Sequence, residues 1–146
     1  MILLDVNVLI YAHRAELPEH DSYARWLTGV ATGHEPFGLS DLVLSGVVRI
    51  VTNPRVFRTP TPVGTAFEFV EQLRARPNVV VLRPGARHWD IFRDLCDQTG
   101  AQGKLVADAY HAALAIEHGC EWLTTDADFA RFPQLRWRHP LRPAGA

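Results

Sequence analysis

The opening stretch, MILLDVNVLIYA (residues 1–12), decides how the rest of the chain is read. Ten of its twelve residues read as a buried segment, yet Asp5 and Asn7 stand inside it. ILLDV reads as a short strand, too apolar to have one wet face. NVLIYAHRA reads as the helix that follows, with Asn7 as its cap. A carboxylate embedded in such a strand must be paired or bound to something. Further carboxylates at similar positions downstream sharpen the question of what holds Asp5.

At 146 residues, 1–146 is expected to be one domain. The 47% apolar content supports a sizeable core without disulfides or structural zinc. The net charge of -1 hides an unusual basic set: Lys104 is the only lysine among 15 Lys and Arg residues. Arg pairs with phosphate in a bidentate manner and suits an RNA partner, although a GC-rich codon bias explains the same preference. Cys96 and Cys120 fit no metal spacing and no disulfide framework. The apolar start lacks a basic leader and is interrupted by Asp5, so it reads as a poor signal peptide. No stretch approaches the length of a membrane span. A soluble, cytoplasmic protein is expected.

Along the chain, helices are expected over 19–31, with Tyr23, Trp26, Leu27 and Val30 inward, and over 40–52, capped by Ser40. The apolar face of the latter is read as Leu42, Val43, Val47 and Ile50. NPRVFRTPTP (53–62) is broken by three prolines and reads as an exposed loop. A helix over 63–77 turns Phe67, Val70 and Leu73 inward. NVVVL (78–82) reads as a buried strand. Helices follow over 86–100 and 105–119, ended by Gly100 and Gly119. CEWLTT (120–125) is a strand and DADFARF (126–132) a turn into a short helix. LRWRHPL (135–141) is a last edge strand, and a frayed tail is expected over 141–146. Strands separated by helices give an α/β fold with a mainly parallel sheet covered on both faces.

Ligands of open parallel sheets bind at the carboxyl edge, where strands hand over to helices. Asp5 ends the first strand and Asp126 the strand CEWLTT, with Asp128 two residues on. Asp108 lies in the first turns of the Ala-rich helix that leads into that strand, and connection rules place it at the same edge. Acids gathered in one cleft repel one another unless a cation joins them. Mg²⁺, or Mn²⁺, takes hard oxygen ligands of this kind and would hold a phosphodiester. Singly, each acid has a plainer reading: Asp126 as a helix cap, Asp108 as a favourable charge near a helix start, Asp128 as a solvated side chain. Asn7 could orient Asp5, and Thr124 could hold a ligand or water. His111, one turn after Asp108, could touch substrate or be a half-exposed helix residue. Asp90, Asp94 and Asp97 read as a solvated face salt-bridged to Arg87 and Arg93. Arg55 and Arg58 could bind an RNA backbone, with Phe57 available for stacking. Arg131, Arg136, Arg138 and Arg142 form a second basic set. An aspartyl-nucleophile phosphohydrolase and a non-catalytic receiver-like module are the rival readings.

LLDVNVLIYA (3–12), VADAYHAALAIEHG (106–119) and WLTTDADFARF (122–132) together resemble the signature blocks of PIN-domain ribonucleases, most closely the VapC toxins of toxin–antitoxin pairs. LVLSGVVRIVTNPRVF (42–57) and LRWRHPL resemble one VapC subgroup. The resemblance implies a three-layer α/β/α PIN fold and a Mg²⁺-dependent endoribonuclease. It matches Asp5 to the first acid, Asp108 to the third, Asp126 to the fourth, Asp128 to an additional acid and Thr124 to the hydroxyl residue before the fourth. These matches imply Asp5, Asp108 and Asp126 as metal ligands, with Asp128 also catalytic. A homodimer and a cognate antitoxin are implied as well. One position departs: where the family carries a Glu as second acid, this chain has Gly46. Asp41 is the nearest substitute, although a helix start explains it as well.

Overall fold

Residues 1–142 are described by the computed structural model; residues 143–146, most of the expected frayed tail, lie outside the described residues. The first strand, β1 (Ile2–Leu4), hands directly to α1 (Val6–His13). The cap of α1 is Asp5, whose Oδ1 accepts the Val6 amide at 2.6 Å. Asn7 is an exposed residue inside the helix rather than its cap. The helix starts two residues earlier than expected because the carboxylate itself satisfies a free amide at its end.

The chain continues through α2 (His20–Thr32), β2 (Phe37–Ser40), α3 (Asp41–Val51), α4 (Val63–Arg74) and β3 (Val79–Leu82). It then runs through α5 (His88–Thr99), α6 (Lys104–Glu117), β4 (Glu121–Leu123), a 3-10 turn over Ala127–Arg131 and β5 (Trp137–Arg138). Ser40 caps α3 as expected, its Oγ accepting the Val43 amide at 3.1 Å. Gly100 closes α5 at a φ of 61°, a left-handed position that suits glycine.

The strands form one sheet in the order β3-β2-β1-β4-β5, every pair parallel. From β1 the chain steps outward to β2 and β3, then returns across the sheet to β4. Right-handed crossovers place α1 to α4 on one face, and α5 and α6 on the other, giving three layers. The reversal lies between β1 and β4, the position where parallel sheets open a crevice at their carboxyl edge. One connected core runs through the layers, with Leu3, Leu4, Leu39, Trp122 and Leu123 of the central strands buried.

Several sequence-based expectations change. β3 is an edge strand with β2 as its one neighbour, so Val80 is exposed where a buried strand was expected. In α3, Leu44 and Val51 face the core, Leu42 is exposed and Ile50 is half-buried. In α4, Ala66 is buried and Phe67 exposed. Both differences are errors of phase: an apolar stripe wider than the buried face leaves one large residue outside it. Asp90, Asp94 and Asp97 are solvated as expected, but among the described residues they form no salt bridges.

Truncating an inward and an outward residue of α4 separates these faces. Leu73→Ala is expected to lower unfolding free energy by about 2–5 kcal/mol. Phe67→Ala is expected to change it by less than about 1 kcal/mol. Urea unfolding of the two variants measures both.

Candidate metal centre

Register sets the site. Leu4 pairs with Leu123, and the Asp5 amide donates to the Leu123 carbonyl at 3.0 Å, carrying the ladder one step past the strands. Asp5 and Thr124 therefore emerge side by side at the carboxyl edge. The Thr124 hydroxyl donates to Asp5 Oδ2 at 2.6 Å and accepts the Asp126 amide at 3.0 Å. Thr124 is fully buried, so one hydroxyl locks the first acid in place and aims the turn that carries the fourth. Asp126 in turn caps the 3-10 turn, Oδ1 accepting the Asp128 amide at 2.9 Å.

Asp108 arrives from the opposite face. It lies in the second turn of α6 and is buried, only 8% exposed. Its partner is Lys104, a residue outside the expected site. The Lys104 ammonium, one turn earlier on α6, donates to Asp108 Oδ2 and to Asp126 Oδ2, both at 2.8 Å. Two signals in the sequence pointed to it: Lys104 is the only lysine, and it stands four residues before Asp108, the spacing at which helix side chains meet.

The electrostatics report the same proximity. Burial, opposed by the Thr124 and Val6 hydrogen bonds and reinforced by the charges of Asp108 and Asp126, raises the Asp5 carboxyl from 3.8 to about 6. For Asp126, burial pushes the carboxyl up, but the Lys104 ammonium and the Asp128 amide together hold it below its ordinary value. The hydrogen bonds to Asp108 and Asp126 raise Lys104 well above its usual range. His111 is half-buried, its ring stacked on Trp122 with centroids 5.4 Å apart. Burial, with the Lys104 charge, lowers it to about 4, so it is a neutral imidazole at neutral pH.

Asp5, Asp108, Asp126 and Thr124 are thus brought together. Asp128 touches the group through its backbone amide, and its side chain is exposed. Asn7 makes no contact with Asp5 among the described hydrogen bonds, so it does not orient that carboxylate. Asp41 is committed to Arg74, whose Nε donates to its Oδ1 at 3.0 Å, and does not replace the absent Glu. Gly46 lines a cavity of about 650 Å³ beside the acids, together with Val6, Gly103, Ala107 and Tyr110. A Cβ at Gly46 would sit 3.2 Å from Val6 Cγ2.

Arg55, Phe57 and Arg58 lie elsewhere. Their loop follows the far end of α3, which starts at the carboxyl edge and runs roughly 16 Å away from it. Arg55 and Arg58 are exposed. The guanidinium of Arg14 covers the Phe57 ring at 4.1 Å from its centroid, leaving one face of Phe57 occupied. In the second basic set, Arg136 is tied to the Gly119 carbonyl and Arg138 to Glu121.

The donors are carboxylate oxygens beside a hydroxyl, the hard set that Mg²⁺ or Mn²⁺ accepts. The group already draws in a cation, the Lys104 ammonium, between Asp108 and Asp126. In kind, carboxylates with a hydroxyl beside them, the residues fit a divalent ion. Among the described residues, no three acidic, His or Cys side chains stand pre-assembled as a cage.

Residues 2–135 match the PIN domain family. The chain is 51% identical over 141 residues to "Ribonuclease VapC43" of Mycobacterium tuberculosis, covering 97% of this chain and 96% of that protein. It is 41% identical over 140 residues to "Ribonuclease VapC25" of the same organism, covering 96% and 99%. Among solved structures, it resembles VapBC2 from Rickettsia felis bound to a promoter DNA fragment, at a TM-score of 0.70 and 20% identity, covering 95% and 98%. It also resembles FitAcB from Neisseria gonorrhoeae, at 0.64 and 20%, covering 98% and 100%. At these identities the structural likeness concerns the fold alone.

Folding raises the Asp5 pKa, so the folded state binds this proton more tightly than the unfolded chain does. Ionising Asp5 therefore costs stability: the cost is absent below pH 4 and complete above pH 6. Without divalent ions, wild-type unfolding free energy should fall between pH 4 and 7 by about 2–3 kcal/mol more than that of Asp5→Asn. Urea titrations in EDTA measure the difference; a pH-independent gap would contradict the environment described for Asp5.

Proposed function

The chain belongs to the PIN domain family, and from that premise we propose that it is a Mg²⁺-dependent endoribonuclease toxin of a toxin–antitoxin pair. The observation that carries the reading at the level of residues is the gathering of Asp5, Asp108 and Asp126 at the switch point of a parallel sheet. Asp5 and Asp108 are the principal ligands of the ion, and Asp126 completes the set. Thr124 fixes the Asp5 rotamer, and Asp128 supports Asp126 from the next turn. When bound, a divalent ion lowers the pKa of water and offsets the charge that develops on a phosphodiester.

The rest follows from the chain itself. Three acids at one edge repel an RNA backbone, so the same residues that bind a cation also impose dependence on it. A cavity lined by Val6 and Ala107, the chain neighbours of Asp5 and Asp108, and by Gly46, Gly103 and Tyr110 is the proposed seat of the RNA backbone. Gly46 brings no fourth carboxylate, which favours a single ion. Asn7 stands two residues after Asp5, where an aspartyl-nucleophile phosphohydrolase favours a second acid. That disfavours the aspartyl phosphohydrolase. A receiver-like module would have no use for Asp108 in the cluster.

The partners we propose are RNA as substrate, a cognate antitoxin and a second copy of this chain as a homodimer, working in the cytoplasm. Relatives named as ribonucleases support RNA as the substrate. Among the described residues, no helix is long and apolar enough to cross a membrane. Arg55 and Arg58 are proposed as distal RNA contacts, away from the scissile bond.

Purified chain should cleave RNA with Mg²⁺ or Mn²⁺ and lose the activity in EDTA. Asp5→Ala and Asp108→Asn should each reduce cleavage at least about 100-fold, since even residues that merely orient metal ligands cost 10–100-fold. Expression without its partner should arrest growth, and Asp5→Ala should relieve the arrest. Cleavage that persists in EDTA or in Asp5→Ala would contradict the assignment.

A further inference from the structure

We propose that Lys104 is a tethered counter-cation that holds Asp108 and Asp126 together in the ion-free protein and must leave them before a divalent ion can bind. The inference rests on the metal-dependent reading above and adds to it a residue that opposes the metal. Three observations carry it.

The first is geometric. One ammonium lies 2.8 Å from Oδ2 of Asp108 and 2.8 Å from Oδ2 of Asp126, the two oxygens that converge from different layers of the fold. An ion taking those oxygens needs the same lone pairs and would stand against a like charge. The two cannot be bound there together.

The second is the helix. Lys104 is the first residue of α6, and no side chain caps that end. The positive end of the helix dipole disfavours a cation in its first turn. A lysine is stable there because the two carboxylates outweigh the dipole. The chain's only lysine thus stands where local helix chemistry argues against one and the acid cluster argues for it.

The third is mobility of access. The Lys104 side chain is 67% exposed, whereas that of Asp108 is 11% exposed. The carboxylate is fixed and the ammonium stands at the mouth, with solvent beyond it and a four-carbon stem to swing on. Asp5 makes no hydrogen bond with Lys104; its oxygens belong to Val6 and Thr124. In the ion-free protein, Lys104 therefore neutralises only part of the cluster. A divalent ion reaching all three acids would gain what the lysine leaves uncompensated. Lys104 weakens metal binding without preventing it, and keeps the acids assembled when no metal is present.

The test compares wild type with Lys104→Met, which keeps the stem and removes the charge, and Lys104→Arg, which keeps a charge. Mn²⁺ is titrated calorimetrically into each intact, metal-stripped protein, and thermal unfolding is followed in EDTA and in saturating Mn²⁺. Lys104→Met should bind Mn²⁺ about fivefold more tightly than wild type, a modest gain because the lysine is solvent-screened. Its Tm in EDTA should fall by roughly 2–4 °C, and saturating Mn²⁺ should erase that deficit. Lys104→Arg should stay near wild type in both. Equal or weaker Mn²⁺ binding by Lys104→Met, with wild type binding normally, would overturn the proposal. If that variant also bound RNA more weakly, Lys104 would instead be a phosphate contact. Absence of Mn²⁺ binding by wild type and Lys104→Met alike would overturn the metal-dependent reading itself, and this inference with it.

Discussion

The Thr124 hydroxyl and the Asp5 carboxylate meet at 2.6 Å across 119 residues of chain, and the site depends on that contact. It exists because β1 and β4 lie parallel and in register, Leu4 opposite Leu123, so both strands release the chain at the same edge and level. A slip of one residue would turn Asp5 to the other face and leave a buried acid without its donor. Register here is held by the core: Leu3, Leu4, Trp122 and Leu123 are all buried, and none can be displaced without opening a void. Packing in the middle of the sheet therefore determines chemistry at its rim.

The rim is in turn a problem of charge. Asp5 and Asp108 are withdrawn from water yet face a third acid. The fold manages this with fixed donors where it can, two amides and a hydroxyl, and with the Lys104 ammonium where it cannot. What remains uncompensated is the burial of Asp5, which, with the charges of Asp108 and Asp126, holds its carboxyl above the usual range.

Much of this was legible in the sequence. The acid inside ILLDV, the second acid after CEWLTT and the third at the head of an Ala-rich helix required only the rule that parallel strands and their helices share one functional edge. The sheet order, with β1 between β2 and β4, could not be read off directly, because short apolar strands carry no label for their neighbours. Asn7 misled because it is a good capping residue at a plausible place; Asp5 was better and stood where the strand ended. Phe67 and Leu42 misled because apolar periodicity fixes a helix and leaves its rotation uncertain by one residue. In the sequence, Lys104 stands out only as the single lysine. Its role depends on a contact with Asp126, 22 residues away and across a strand, and no local pattern encodes that.

Asp5, Asp108 and Asp126 are proposed to share one hard dication at the carboxyl edge. Diffraction from Mn²⁺-soaked crystals at a wavelength that reveals the metal's anomalous signal tests it most directly. One strong peak is expected about 2.0–2.2 Å from oxygens of these three residues, with the Lys104 ammonium turned out toward solvent. A well-ordered site with Lys104 still bridging Asp108 and Asp126, and the metal absent or bound elsewhere, would contradict it.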